Sequence, residues 1–489
     1  MQKEKLLKKD IKQELLDTFK DASDFKNQSI NIAAGEVNLF FVDSLINKQL
    51  ISSALVAPLV SLAGKEINAE ILLSTTTISG GVVKEKSDEV ICDLLNGFVA
   101  ISLPNGEFLT FPCQGYEKRA ITEPPTSTIL KGPREGFVED INTNTSLIRR
   151  KVKSPDLNVK DVQVGKYSNT IVKVFYISTI ADKKVVDKVI ERLKKISIDA
   201  VLDSSYIQKM LEEKHSVLFK QVGNTEKPDV AVAKMMEGRV VILVDGSPIA
   251  LTVPYIIAED FQSADDYFTL NMKSIVTRIL RVAGFIFSIA LPGIYVAMQS
   301  FHYALLPIDF LITLQSSIES LSFPPIIEIL FVLFLFEILN EASVRMPKYL
   351  GMALSIIGAL VLGDTAVQAG IISPPAVIMV AISGVTLYMV PDLSQTAAVL
   401  RLIFTIVGGV AGFYGILVTM VFFTAYLMTF DSYGSPYFAP YAPFIKSDIK
   451  DGVLIKDIRY MKKRPKSIPN INSTRQEDIA NKNNASEEG

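Results

Sequence analysis

Apolar positions are spread unevenly along this chain of 489 residues. From Ile279 to Phe430 there are eleven Asp, Glu, Lys or Arg in 152 residues, and a run of about 20 apolar residues is enough to cross a bilayer as a helix. The stretch offers up to five such runs: Ile279 to Met298, Ile326 to Asn340, Leu350 to Ala369, Ile372 to Val390, and Leu402 to Phe430. It reads as a polytopic α-helical membrane domain. Upstream the runs are short and mixed. Leu7, Ile11, Leu15 and Phe19 recur every four residues, which predicts an amphipathic helix within 1–29. A strand at Val37–Val42, and a hairpin of Phe98–Leu103 and Glu107–Phe111 about Pro104-Asn105-Gly106, predict a first small α/β subdomain over 30–122. A polar connector is expected over 123–164. Strands at Thr170–Ile177 and Asp199–Leu202, helices at Lys183–Ile196 and Ser204–Lys214, and a hairpin about Asp245-Gly246-Ser247 predict a second α/β subdomain over 165–260.

The membrane domain is expected to run from 261 to 430, opening on an interfacial helix whose apolar face is Phe268, Met272, Ile275 and Ile279. The tail, 431–489, reads as cytoplasmic and basic, and as disordered from Asn470. The fold class is therefore α+β with a membrane part: two cytoplasmic α/β subdomains, a polytopic helical domain and a basic tail.

A mean hydropathy of +0.31 in a chain that is 21% charged fits this division between soluble and membrane parts. The formal net charge of −2 gives no basic field for nucleic acid. Two cysteines, Cys92 and Cys113, make no disulfide framework. Neither His215 nor His302 stands near other ligand-type residues at metal spacing, so no metal is expected. The glycines around Gly132 and Gly136 fit no phosphate-binding loop, and no nucleophile with an adjacent base or paired carboxylates can be picked out. No cofactor, catalytic residue or enzymatic activity is expected.

Charge also sets orientation. No export signal precedes Ile279, so the first 278 residues are expected in the cytoplasm. The loop 301–322 carries Asp309 and Glu319 but no Lys or Arg and should face outward, whereas Arg345 and Lys348 should face inward. Asp392 and Arg401 would be inside again. Five plain crossings would leave the tail outside, yet 446–466 holds eight Lys or Arg against three Asp, which calls for inside. Either the Leu305–Leu314 run re-enters, or Leu402–Phe430 is broken at Gly408, Gly409, Gly412 or Gly415. An even number of crossings, with both termini cytoplasmic, is the expectation.

Within the apolar layer, ionisable groups need a partner or water. Glu337, Glu341 and Arg345 share one helix face at steps of four, as an intrahelical ladder or as acids at a pore mouth. Gly351, Ser355, Gly358, Leu362, Thr365 and Ala369 form a mostly small face along the third run. That face suits close helix packing, or a narrow conduit with Leu362 as its constriction and Asp364 and Gln368 near the outer end favouring cations. Gly408 and Gly412 read as packing glycines. Arg149 and Arg150, with Lys151 and Lys153, are either a solvated helix face or a contact surface for headgroups or another subunit.

Several stretches together resemble the A subunits of GerA-type spore germinant receptors: GPREGFVEDINTNTSLIRRKVKSPDL from Gly132, VVILVDGSPIALTVP from Val240, FQSADDY from Phe261, and the long run from Phe323 to Ser383 with its Glu-Ala-x-x-Arg-x-Pro. The likeness extends from Val37 to about Arg464. It implies an A subunit in the spore inner membrane, working with a transporter-like B subunit and a lipoprotein C subunit. It also implies self-association, as a pentamer, into a nutrient-gated channel for monovalent cations, with Arg134, Glu135, Arg149 and Arg150 as candidate subunit contacts. A non-conducting scaffold and a related spore-membrane paralogue that aids ion release are the alternatives. Asp364 departs from the family, which more often carries an uncharged residue there.

Overall fold

The computed structural model describes residues 11–32, 35–62, 67–115, 131–212, 218–318, 323–345, 363–452 and 454–476. Helix α1 (Ile11–Thr18) leads into a hairpin of β1 (Phe25–Ile32) and β2 (Gly35–Val42). There follow α2 (Lys48–Ile51) and α3 (Ala57–Ser61), joined by a π turn, then α4 (Ala69–Thr75), β3 (Val82–Lys84), α5 (Ser87–Leu95), and a second hairpin of β4 (Phe98–Ser102) and β5 (Phe108–Pro112). The strands form an antiparallel sheet in the order β1-β2-β4-β5-β3. Side chains alternate along β2 as a strand requires. Val37, Leu39 and Phe41 pack under α2 to α4, while Phe40 faces Leu15 and Phe19 of the N-terminal segment and Leu94 of α5.

The second sheet repeats the plan. Helix α6 (Ile141–Lys151), hairpin β6 (Leu157–Val164) and β7 (Thr170–Ile177), helices α7 (Lys183–Lys195) and α8 (Ser204–Leu211), β8 (Gly223–Thr225), α9 (Pro228–Met236), and hairpin β9 (Val240–Val244) and β10 (Ala250–Val253) follow in turn. The order β6-β7-β9-β10-β8 is the first sheet's order with every strand advanced by five. The leading helix also packs the same way, α1 against α5 and α6 against α9.

Three sequence expectations change here. The described part of 123–164 contains α6 and β6, so it builds the second sheet's layer instead of connecting two domains. Phe25–Ile32, partly expected in the N-terminal helix, is a strand that completes the first sheet. Asp199–Leu202 is a loop, because its backbone is satisfied by the β6–β7 turn, with Tyr167 N–H donating to Asp199 O at 2.8 Å and Val201 N–H to Ser168 Oγ at 3.1 Å.

The two layers are joined through one buried ion pair. Arg149 of α6 donates from Nε to Asp24 Oδ2 at 2.8 Å and from Nη2 to Asp24 Oδ1 at 2.7 Å. Alongside, Ser23 N–H donates to Val159 O at 3.0 Å and Ser23 Oγ to Asp161 Oδ1 at 2.7 Å. Arg149, 1% exposed, is therefore unavailable as a surface contact between subunits.

Below the second sheet stand α10 (Asn271–Ser300), α11 (Ile308–Ile318), α12 (Pro325–Arg345), α13 (Pro374–Leu387) and α14 (Ser394–Met428). Among the described residues two segments, Asn271–Ser300 and Pro391–Met428, are long and apolar enough to cross a membrane. The chain then folds back on the second sheet, where Ile471 N–H donates to Ile180 O at 2.8 Å and Arg464 Nε to Met236 O at 2.6 Å. Disorder from Asn470 is thus not found as far as 476.

Removing one member of a buried pair leaves an uncompensated charge at a cost of about 3–5 kcal/mol. Asp24→Ala should lower the stability of the full chain by that amount, and amide exchange should accelerate together in α6 and at Ala22–Asp24. Acceleration confined to one of these segments would show that the pair does not join the layers.

Candidate functional site: charged junctions of the helical bundle

Helix α14 follows a short turn, Pro391–Leu393, and two turns into it Arg401 is 1% exposed. Its guanidinium pairs with Glu337 of α12 and donates to Ser383 Oγ of α13 at 3.3 Å, lying 5.1 Å from the Phe336 ring centre. Ser383 Oγ in turn donates to Ser288 O of α10 at 2.7 Å. One cation thereby gathers four helices. In an apolar bundle such a charge is tolerable only where carboxylate and hydrogen bonds meet it.

A second polar cluster lies at the far end of the same helices. Glu328 of α12 is 1% exposed and accepts from the Ser373 N–H that precedes α13. Nearby, Gln299 Nε2 donates to the Tyr295 hydroxyl at 3.5 Å.

Helices α10 and α14 touch backbone to backbone, since a Cβ on Gly293 would strike Phe404 O and one on Gly408 would strike Gly293 O. Gly408 thus has the packing role expected of it. Gly412 does something else. Its φ of 62° and ψ of −154° break α14, and such a conformation is open to glycine because it lacks a Cβ. A straight helix of 35 residues would span about 52 Å. Both ends of α14 instead meet one place on the second α/β layer: Thr396 Oγ1 donates to Leu218 O, and Phe423 lies 5.5 Å from Phe219 ring to ring. The helix is a hairpin, and a Cβ on Gly415 would lie 2.9 Å from Val407 Cγ1 across it.

That same place carries charge. Lys220 reaches Asp260 Oδ1 at 3.0 Å and Asp392 Oδ1 at 3.4 Å, so the α13–α14 turn is tied to the α/β layer. Buried Asp260 also accepts from the Tyr255 hydroxyl. At the start of α10, Arg278 is 1% exposed and donates to Asp266 Oδ2 at 2.8 Å, Asp451 Oδ1 at 3.0 Å and Gly452 O at 2.6 Å. Arg281 holds both oxygens of Asp266, at 2.8 and 2.9 Å. Burial pushes the Asp266 carboxyl up, but hydrogen bonds from Arg281 and Arg278 outweigh it and hold the group below its ordinary range.

The sequence-predicted residues fall into separate places. Glu337 joins Arg401, while Glu341 and Arg345 form an exposed pair within α12, Nε to Oε1 at 2.7 Å. Asp364 accepts from Gln368 at 2.8 Å, and both, like Thr365, are exposed on the single chain. Gly351, Ser355, Gly358 and Leu362 lie outside the described residues. Glu135 sits 2.9 Å from Lys151 and 4.0 Å from Arg150, and Arg134 is exposed. Arg401, expected on the cytoplasmic side with Asp392, is a helical residue buried against α12 and α13. Its signal was the apolar run on both sides, Ala397 to Leu400 and Leu402 to Thr405.

These features define a bundle with two segments of membrane-crossing length, seated through ion pairs beneath a duplicated α/β head. The chain belongs to the GerA family: the profile described as Bacillus/Clostridium GerA spore germination protein matches residues 13–467. It is similar to spore germination protein KA of Bacillus subtilis (strain 168), at 37% identity over 90% of this chain and 82% of that protein. The uncharacterized membrane protein YfkQ of the same strain is 33% identical over 84% of this chain and 82% of its own length. Among solved structures, the N-terminal domain of the A subunit of the Bacillus megaterium germinant receptor GerK3 matches at 24% identity and a TM-score of 0.38, covering 50% of this chain and 93% of that one.

Because the folded Asp266 carboxyl is depressed, its stabilisation is complete above the ordinary Asp value of 3.8 and is lost as pH falls through the lowered value. The thermal transition of the detergent-solubilised chain should fall on acidification below about pH 4. Asp266→Asn should melt lower at neutral pH and lose that part of the acid response. Parallel melting curves for the two proteins would remove Asp266 from the account.

Proposed function

We propose that this chain is the A subunit of a spore germinant receptor that crosses the spore inner membrane several times, assembles around an axis, and passes monovalent cations when a nutrient signal arrives. The observation that carries this reading is how charge is distributed in the bundle. Arg401 and Glu337 neutralise each other inside one chain, whereas Asp364, Thr365 and Gln368 remain exposed on it. A carboxylate on the outer part of an apolar run is best accommodated by water or by other copies of the chain. The run Leu350–Ala369 then faces the axis, with Leu362 as its constriction.

The reversal at Gly412 supplies the second crossing that an even count requires. Helices α10, α12 and α13, the run Leu350–Ala369, and the two arms of α14 give six crossings, with both termini on the cytoplasmic side. Partners in this reading are a transporter-like B subunit, a lipoprotein C subunit and further copies of the chain; five copies is the number proposed.

Two outcomes are expected. Leu362→Ala should release cations from dormant spores and start germination without nutrient; retained dormancy would place Leu362 off the path, and a purified assembly that never conducts would favour a scaffold coupling a sensor to a separate channel. Cysteines at Thr396 and Met428, in a background lacking Cys92, should both react with a membrane-impermeant reagent from the side bearing the α/β head. Labelling from opposite sides would rule out the hairpin.

A further inference from the structure

We propose that the segment from Phe438 to Lys463 is a membrane-surface clamp that binds the headgroups of anionic phospholipids on the leaflet where α10 begins. This rests on the reading of α10 as the first crossing. The segment is anchored at the right depth. Tyr437, just before it, packs edge-on against Phe430 just past the end of α14, Asp451 is held by Arg278 and Tyr267, and the Asn271 side chain bonds Asp457. The tail therefore wraps the first two turns of α10. That helix of 30 residues is about 45 Å long against about 30 Å of hydrocarbon, so its first turns stand among headgroups.

Its charges are sorted by the fold. Of three acids, Asp448 is buried and accepts from Ser467 N–H at 2.7 Å, Asp451 is spent on Arg278, and Asp457 on Arg459 at 2.7 Å. Lys446, Lys450 and Lys456 are exposed. A backbone bond from Lys456 N–H to Lys450 O, 2.9 Å, closes the turn that sets two of these side by side. A segment with mixed charge in sequence thus presents cations outward.

Large apolar groups stand among them. Phe444 is 71% exposed, Tyr460 64% and Leu454 54%; at the start of α10, which Asp451 and Asp457 touch, Leu270 just before the helix and Met272 within it are 81% and 75% exposed. Exposed aromatics interleaved with lysines, continuous with a helix's apolar belt, suit the boundary between headgroups and acyl chains. An acidic protein partner would satisfy the lysines but not that continuity. Basic residues at this depth are drawn to anionic lipid.

The sequence has no Trp, so one introduced indole reports alone. Phe444→Trp is the test and Phe287→Trp, on the exposed face in mid-α10, the control. The full chain would be reconstituted in vesicles of phosphatidylcholine with or without phosphatidylglycerol, brominated either near the headgroup or near the bilayer centre. The control should be quenched by the deep bromines in both lipids. The Phe444→Trp indole should be quenched by the shallow bromines, more strongly with phosphatidylglycerol, and the gain should be lost when Lys446, Lys450 and Lys456 are replaced by Glu. A quenched control beside an unquenched Phe444→Trp indole would overturn the clamp, and equal quenching in both lipids would overturn its selection of anionic headgroups. An unquenched control would instead overturn the membrane reading, and the clamp with it.

Discussion

Three guanidinium groups, Arg149, Arg278 and Arg401, are the largest fully buried side chains among the described residues, and each closes a junction. Arg149 joins the two α/β layers, Arg278 joins α10 to the tail, and Arg401 joins α12 to α14. A cation withdrawn from water is tolerated where a carboxylate and further hydrogen bonds surround it, and it is costly once one partner leaves. The layers are consequently held at points where separation would strand a charge. Apolar burial packs each layer, but it is the charge pairs that fix how one layer meets the next.

The duplicated α/β plan gives those points their positions. Each copy opens on a helix, and the helix of the second copy carries Arg149 on its buried side. In the first copy the loop after α1 supplies Asp24, so the pair links the front of one unit to the front of the other. The second unit also lends its edge to the bundle through Leu218, Phe219 and Lys220. The second sheet layer therefore touches the first sheet through β6 and α6 at one edge, both arms of α14 near β8 at the other, and the tail between them.

Much of this was legible in the sequence and some was not, for a physical reason. Local periodicity located the second hairpin of each sheet and the apolar runs, since those signals span a few residues, but it missed β1 and β6, the more polar strands that open the two sheets. The charge of the tail led to the expectation of an even number of crossings, with either the Leu305–Leu314 run or the glycines of the last run as the irregular place; the helix does break at one of those glycines, Gly412. Pairing across long separations left no local mark. Asp24 and Arg149 are 125 residues apart, and Glu337 and Arg401 are 64 apart. In a window of sequence Arg149 is one cation in a polar helix, and its burial comes from a strand entrance far upstream. The shared strand order of the two sheets was equally hidden, because it is a property of pairing and not of composition.

Each buried arginine also leaves one nitrogen without a hydrogen-bond acceptor among the described residues: Nη1 of Arg149, Nη2 of Arg278 and Nε of Arg401. An arginine offers five donor hydrogens in a rigid fork, so these junctions are strong without being saturated. The distinction matters most for Arg401. The turn before its helix is tied to Lys220 through Asp392, nine residues earlier, and its fork reaches three other helices through Glu337 and Ser383. Contiguity of this kind does not measure coupling by itself, which needs an element with two arrangements that both ends bias. What the contacts at Arg401 do show is rigidity: Glu337, Ser383 and the Asp392–Lys220 pair hold the first arm of α14 in one arrangement.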